Sequence, residues 1–178
     1  VGRFFFVGVR EEAVMEESIK DMGTPSEEVM RRERDTLVKE KLSRIRRKIL
    51  VMSGKGGVGK STVAAYLALL LSERGYRVGL LDVDLHGPSI PHLLNIRGGL
   101  DVSQEGVVSP YRFSSHLRVV SIGMLLGQKD VAVIWRGPLK ISAIKRFISD
   151  IEWGAMDFLV IDSPPGTGDE PLTIAQTI

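Results

Sequence analysis

The segment Gly54-Lys55-Gly56-Gly57-Val58-Gly59-Lys60-Ser61-Thr62 fits the pattern G-x-x-x-x-G-K-[ST], and the chemistry of that pattern is phosphate binding. Glycines let successive backbone N–H groups turn inward around an anion, and a helix N-terminus directly after the loop adds its partial positive charge. The N–H groups from Gly57 to Thr62 are set to neutralise phosphate charge, Lys60 is a point cation for β- and γ-phosphates, and the Ser61 hydroxyl oxygen suits Mg²⁺. Lys55 is a second cation inside the loop. A side chain leaving the outer rim does not easily fold back onto its own phosphates. Lys55 therefore reads either as an ordinary exposed lysine or as a cation delivered across an interface to the nucleotide of a second subunit.

Four carboxylates stand where such a site would use them. Asp82 and Asp84 follow the apolar pair Leu80-Leu81 two residues apart, so in an extended segment they face one side. Asp162 ends the run Phe158-Leu159-Val160-Ile161, the strand-then-aspartate order that holds Mg²⁺ beside a phosphate loop. Asp169 lies in Ser163-Pro164-Pro165-Gly166-Thr167-Gly168-Asp169, whose glycines allow a change of conformation. Each aspartate alone also fits a turn-capping role at a strand end. Together with the phosphate loop they read as a nucleotide site with Ser61, Asp82 and Asp162 as the Mg²⁺ candidates.

The elements that must position these residues alternate. Lys48-Ile49-Leu50-Val51-Met52 predicts a buried strand before the loop, and the apolar run after Lys60 predicts a helix ending near Arg74 with Gly75 as a left-handed cap. Further strands are expected over Arg77 to Asp82, Leu117 to Ile122 and Phe158 to Ile161, with another candidate over Val131 to Ile134. Near-continuous apolar strands alternating with helices specify a parallel sheet covered on both faces. A helix begun by Pro138 would lay Ile141, Ile144, Ile148 and Ile151 on that sheet. Thr24-Pro25-Ser26-Glu27 carries the signals of a helix start, and Val38, Leu42 and Ile45 then form an apolar stripe. Asn95 to Ser115, rich in glycine and polar residues, reads as a long connection or a small hairpin. The expected organisation is a leader and amphipathic helix over residues 1–44, followed by a nucleotide-binding domain over 45–178.

With 178 residues, 43% hydrophobic and 26% charged, the chain has the composition of a soluble globular domain. Its apolar runs are too short for a membrane-spanning helix and Phe4-Phe5-Phe6-Val7 lacks the flanks of a secretory signal, so the expectation is a cytoplasmic protein. The absence of cysteine agrees with a reducing compartment and excludes disulfides and cysteine-held clusters within this chain. The chain opens on Val1 and stops within a helical pattern, and we read it as a piece of a longer protein. Charge is uneven: residues 1–30 carry three basic and seven acidic side chains, residues 31–48 nine basic and three acidic. Arg44-Ile45-Arg46-Arg47-Lys48 fits a nucleic-acid or membrane contact, or a solvated helix face leading into the first strand; no aromatic residues are interleaved for base stacking.

Lys55-Gly56-Gly57-Val58-Gly59-Lys60-Ser61 resembles the deviant Walker A motif of the MinD, ParA and nitrogenase-iron-protein group of dimerising P-loop ATPases. Leu81-Asp82-Val83-Asp84-Leu85-His86-Gly87-Pro88-Ser89-Ile90-Pro91, Trp135-Arg136-Gly137-Pro138, Trp153-Gly154 and the segment from Asp162 to Asp169 resemble its Mrp/ApbC branch, ATP-binding iron–sulfur cluster carriers. This resemblance implies a doubly wound α/β P-loop NTPase fold over about residues 45 to 178, with further strands beyond this chain. It implies a Mg²⁺-dependent ATPase acting as a homodimer, in which Lys55 reaches across the dimer, Lys60 and Asp84 serve hydrolysis, and Asp84 in switch I positions the attacking water. Asp162 becomes the Walker B aspartate, and Gly166, Thr167, Gly168 and Asp169 become switch II. The resemblance gives Trp135 and Arg136 no firm role. It further implies delivery of clusters to iron–sulfur apo-proteins; with no C-terminal amphipathic helix or basic face visible in the sequence, no nucleic-acid partner and no stable membrane association are expected. The family's cluster is held by a Cys-x-x-Cys pair from each subunit in a C-terminal part that this chain does not contain. The alternative is a MinD- or ParA-like positioning switch on membrane or DNA.

Overall fold

The computed structural model describes residues 27–84, 87–125, 144, 147–166 and 168–177. The chain divides into two compact units, Val1–Glu33 and Arg34–Ile178. Among the described residues no helix is long and apolar enough to cross a membrane.

The second unit is built on a five-stranded sheet. In chain order the strands are β1 (Ile45–Val51), β2 (Val78–Asp82), β5 (Tyr111–Arg112), β6 (Leu117–Ser121) and β7 (Met156–Asp162). They lie in the spatial order β1-β7-β2-β6-β5. The first four are mutually parallel, and only β5 runs antiparallel, against β6. The sheet is thus mostly parallel, as the alternation of strand and helix patterns requires. Residues 95–115, expected as a long connection or a small hairpin, hold a small excursion in which β3 (Asp101–Val102) pairs antiparallel with β4 (Val108–Ser109), and also the sheet strand β5.

Why the strands read as unbroken apolar runs is visible in their neighbours. Leu80, Val119 and Val160 pack on one side with Ala64, Ala65 and Ala68 of the helix Lys60–Glu73. Leu81, Val120, Leu159 and Ile161 pack on the other side with Ile144, Phe147, Ile148 and Trp153. At these positions of β2, β6 and β7 successive side chains point to opposite faces and both faces are packed, so no polar alternation survives there. The three alanines keep the helix close to the sheet. On the opposite face Gly79 makes the room: a Cβ there would lie 2.8 Å from the Trp153 ring and 2.9 Å from Leu159 Cδ1.

Helix α1 (Glu27–Ser43) buries Val38 and Leu42 in this second core. Ile45 is buried too, but as the first residue of β1 rather than as the third member of a helical stripe. The chain turns at Arg44, and the spacing of three that suggested one more helical turn instead lets the strand start pack beside Leu42. The basic residues Arg46, Arg47 and Lys48 therefore lie exposed on β1 and not on a helix face. At the same end of the sheet, Arg77 forks onto Asp157, with Nε and Nη2 donating at 3.2 and 3.1 Å. This pairing holds the Asp157 carboxyl below the usual range and raises the Arg77 guanidinium.

Helix α2 (Lys60–Glu73) ends as expected, with Gly75 at φ 84 after the Arg74 cap. The short helix α3 (Ile90–Leu93) follows β2, and α4 (Asp169–Thr177) follows β7. Ile144 and residues 147–150 are helical, which accords with part of the helix expected after Pro138, but Ile151, expected within that helix, leaves it and bridges to Val108. Pro138, Ile141, Trp135, Arg136 and the candidate strand Val131–Ile134 lie outside the described residues.

Candidate nucleotide-binding site

The carboxyl ends of β1, β2, β6 and β7 open at one edge of the sheet, and the residues singled out for chemistry lie there, as expected for ligand sites of parallel sheets. The register sets Asp162 beside Val51 on one side and beside Asp82 on the other, with Ser121 next to Asp82. The loop after β1 turns through Gly57 at φ 75 and Gly59 at φ 87, conformations that glycine adopts without strain. Gly59 is the N-cap of α2, so the loop delivers its N–H groups into the helix start.

A cavity of about 290 Å³ opens over this loop. Its loop side is formed by Ser53, Gly56, Gly57, Gly59, Lys60, Ser61 and Thr62, and Asp84, Gly87, Ser89, Leu93 and Pro165 also line it. Of the described residues named from sequence, Gly54, Lys55, Val58, Asp82, Asp162, Gly166 and Gly168 do not line it. Lys55 is exposed, and among the described residues its side chain has no partner; its carbonyl accepts from Ser53 Oγ at 3.0 Å. Gly166, at φ 109, donates its N–H to Ser53 O at 2.8 Å and ties the loop after β7 to the phosphate loop. Gly168 is exposed, Asp169 opens α4, and Thr167 lies outside the described residues.

The floor carries a buried ion pair. Lys60 Nζ is bonded to Asp162 Oδ1 and lies 3.4 Å from Ser61 Oγ. Asp162 is fully buried, and its Oδ2 has no hydrogen-bond partner among the described residues. A buried carboxylate oxygen without a donor is costly. A cation supplied with the ligand would satisfy it, and Mg²⁺ takes few protein oxygens and keeps waters for the rest. Ser61 Oγ and Asp162 Oδ2 fit that demand. Among the described residues no group of three His, Cys, Asp or Glu side chains could hold a metal by itself.

Asp82 sits differently from the expectation that it faces Mg²⁺ together with Asp162. Its Oδ1 accepts from Asp84 N–H at 3.1 Å, and its Oδ2 from Ser121 Oγ at 2.9 Å and Ile90 N–H at 3.4 Å. Both oxygens are engaged by the protein. Burial pushes its pKa up to about 7; the Asp84 N–H opposes this, the Asp162 charge adds to it, and the Ser121 and Ile90 bonds oppose it. An acid whose pKa is raised on folding lends stability below its unfolded value near 4, and that support is lost as pH rises through about 7. Asp82→Asn should therefore flatten the fall in stability between about pH 4 and 7, read as urea midpoints in Mg²⁺-free buffer. A variant whose profile runs parallel to the parent's would show that this carboxylate is not the source.

Several cavity residues carried little signal of their own. Ser53 and Leu93 sit in no chemical pattern, and Gly87, Ser89 and Pro165 stood out only within the segments that resemble the Mrp/ApbC branch.

A glycine-rich loop between a parallel strand and a helix, with its lysine paired to the aspartate ending the adjacent strand, defines a P-loop nucleoside-triphosphatase fold. The chain belongs to the ParA family as represented by the NUBPL iron-transfer P-loop NTPases, whose family model matches residues 44–178. It is 55% identical over 139 residues to the cytosolic Fe–S cluster assembly factor NUBP2 homolog of Dictyostelium discoideum, covering 77% of this chain and 52% of that protein. It is 48% identical over 144 residues to the iron–sulfur cluster carrier protein of Saccharolobus solfataricus, covering 81% of this chain and 49% of that one. A nucleotide-binding protein from Archaeoglobus fulgidus, solved in complex with ADP, superposes with a TM-score of 0.68 at 44% identity, over 80% of this chain and 54% of that chain. The chain spans about half the length of these relatives.

Proposed function

We propose that the complete protein is a Mg²⁺-dependent, homodimeric ATPase that assembles or carries iron–sulfur clusters in the cytoplasm and hands them to apo-proteins. The observation that carries the nucleotide part is the floor of the cavity, where Lys60 is buried on Asp162 with a second Asp162 oxygen left over. Arriving β- and γ-phosphates offer Lys60 Nζ a new anionic partner. Asp162 Oδ2 and Ser61 Oγ are the protein oxygens that would hold Mg²⁺. An ion held there would supply neutralisation of the phosphates' negative charge. Asp84, which lines the cavity, orients the attacking water. Its Oδ1 accepts from Gly87 N–H at 3.2 Å, which holds the carboxylate in a defined direction.

The cargo part rests on likeness to proteins named as cluster carriers and assembly factors at 48–55% identity. This chain has no cysteine, so its own residues offer no thiolate to a cluster, which would be held elsewhere in the complete protein. The same likeness is why a carrier is preferred to a MinD- or ParA-like switch on membrane or DNA. The full-length protein should release phosphate from ATP only with Mg²⁺, and after reconstitution should pass a cluster to an apo-acceptor, followed by the acceptor's recovered absorbance or activity. No phosphate release above the level in EDTA would sink the ATPase reading, and hydrolysis without cluster transfer would sink the carrier reading alone.

A further inference from the structure

Asp84 and residues 87–90 are gripped from outside the cavity. Buried Asp82 holds both ends of this stretch, accepting from Asp84 N–H at 3.1 Å and Ile90 N–H at 3.4 Å. Ser121, at the end of β6, donates to Asp82 Oδ2 at 2.9 Å and accepts from Gly123 N–H at 3.1 Å. Gly123 in turn lies against the middle of the stretch: a Cβ there would stand 2.6 Å from both Cβ and Cγ of Pro88. None of Asp82, Ser121, Gly123 or Pro88 lines the cavity, whereas Asp84, Gly87 and Ser89 do.

We propose that Ser121 and Gly123 are positioning residues for hydrolysis, acting through Asp82 and Pro88 to fix where Asp84 stands over the cavity. The chain from β6 to Asp84 is continuous. Ser121 directs the Asp82 carboxylate, Asp82 fixes the Asp84 and Ile90 amides, and the bare Cα of Gly123 seats Pro88 between them. Among the described residues Asp82, Ser121, Gly123 and Pro88 make no hydrogen bond to Lys60 or to the phosphate loop's N–H groups, so the clasp governs the orientation of the attacking water and not the grip on phosphate. The inference rests on the reading of Asp84 as the water-orienting residue.

The test uses Ser121→Ala, Gly123→Ala and Asp84→Ala in the full-length protein, with ATP affinity measured by calorimetry and turnover by phosphate release. We expect Ser121→Ala and Gly123→Ala to lower turnover at least about tenfold while the dissociation constant for ATP stays within about threefold, a split that general destabilisation does not produce. Ser121→Ala only deletes a hydroxyl, so it carries the test if the Gly123→Ala backbone does not fold. In an Asp84→Asn background Ser121→Ala should add little, since both act on one group. Turnover within threefold of the parent in both clasp variants, with Asp84→Ala inactive, overturns the clasp alone. Loss of ATP affinity in parallel with turnover overturns it as well. Turnover retained by Asp84→Ala removes the Asp84 reading, and the clasp with it.

Discussion

Lys60→Ala is expected to weaken ATP binding by at least about a hundredfold, or roughly 2.7 kcal/mol. The loop's N–H groups can shape themselves to a phosphate, but Lys60 is the cation among the residues that line the cavity, and it is held within reach of Ser61 Oγ. The same substitution strands Asp162, which is fully buried and bonded to Lys60, and breaking a buried pair on one side costs about 3–5 kcal/mol. Stability and affinity are therefore both lowered by the single variant. A second substitution separates them. Lys60→Ala with Asp162→Asn removes the uncompensated charge, so thermal stability should recover much of the loss while ATP affinity should not. Calorimetric titration with MgATP and thermal melts of the three proteins check this. An unchanged dissociation constant in Lys60→Ala would mean that the loop is no phosphate site.

The parts of this site that could be read in advance are those whose chemistry is local. The phosphate loop, its strand and helix, and Gly75 at the helix end are each specified within a few residues, because loop conformation, helix start and helix stop depend on neighbours in the chain. Asp84 and Asp162 were legible as strand-end carboxylates for the same reason. What could not be read depends on parallel pairing between strands far apart in the chain. Asp82 looks from its spacing like a carboxylate on one side with Asp84, read as an Mg²⁺ candidate with Ser61 and Asp162, and the β2–β6 register puts Ser121 beside it, which with the Asp84 and Ile90 amides makes it an internal acceptor. The role of Gly79 is equally remote, since the ring it accommodates belongs to Trp153. Ile45 shows a different failure. A spacing of three suits both a helical stripe and a strand that begins just after a helix, and the buried surface on offer decided between them.

Lys55 poses the question that a single subunit leaves to experiment. Its side chain stands exposed outside the cavity, without a partner among the described residues, on a loop held by Ser53 Oγ at the Lys55 carbonyl and by Gly166 at Ser53 O. In the proposed homodimer a lysine so placed would serve the phosphates of the facing subunit, as an arginine finger does in trans. Lys55→Ala should then leave the monomer's nucleotide affinity within about threefold, because Lys60 and the loop amides are intact, while abolishing ATP-dependent dimerisation and hydrolysis together. Asp84→Ala should bind ATP and dimerise yet turn over about a hundredfold more slowly or worse, since orienting the water matters chiefly in the transition state. Mixing the two inactive variants gives the sharpest reading. A mixed dimer has one site that keeps Asp84 and receives Lys55 from its partner, so an equimolar mixture with random pairing should regain up to about a quarter of parental turnover. Mixed dimers demonstrated by cross-linking that stay inactive would place the action of Lys55 within its own subunit, and full activity of Lys55→Ala alone would make it an ordinary surface lysine.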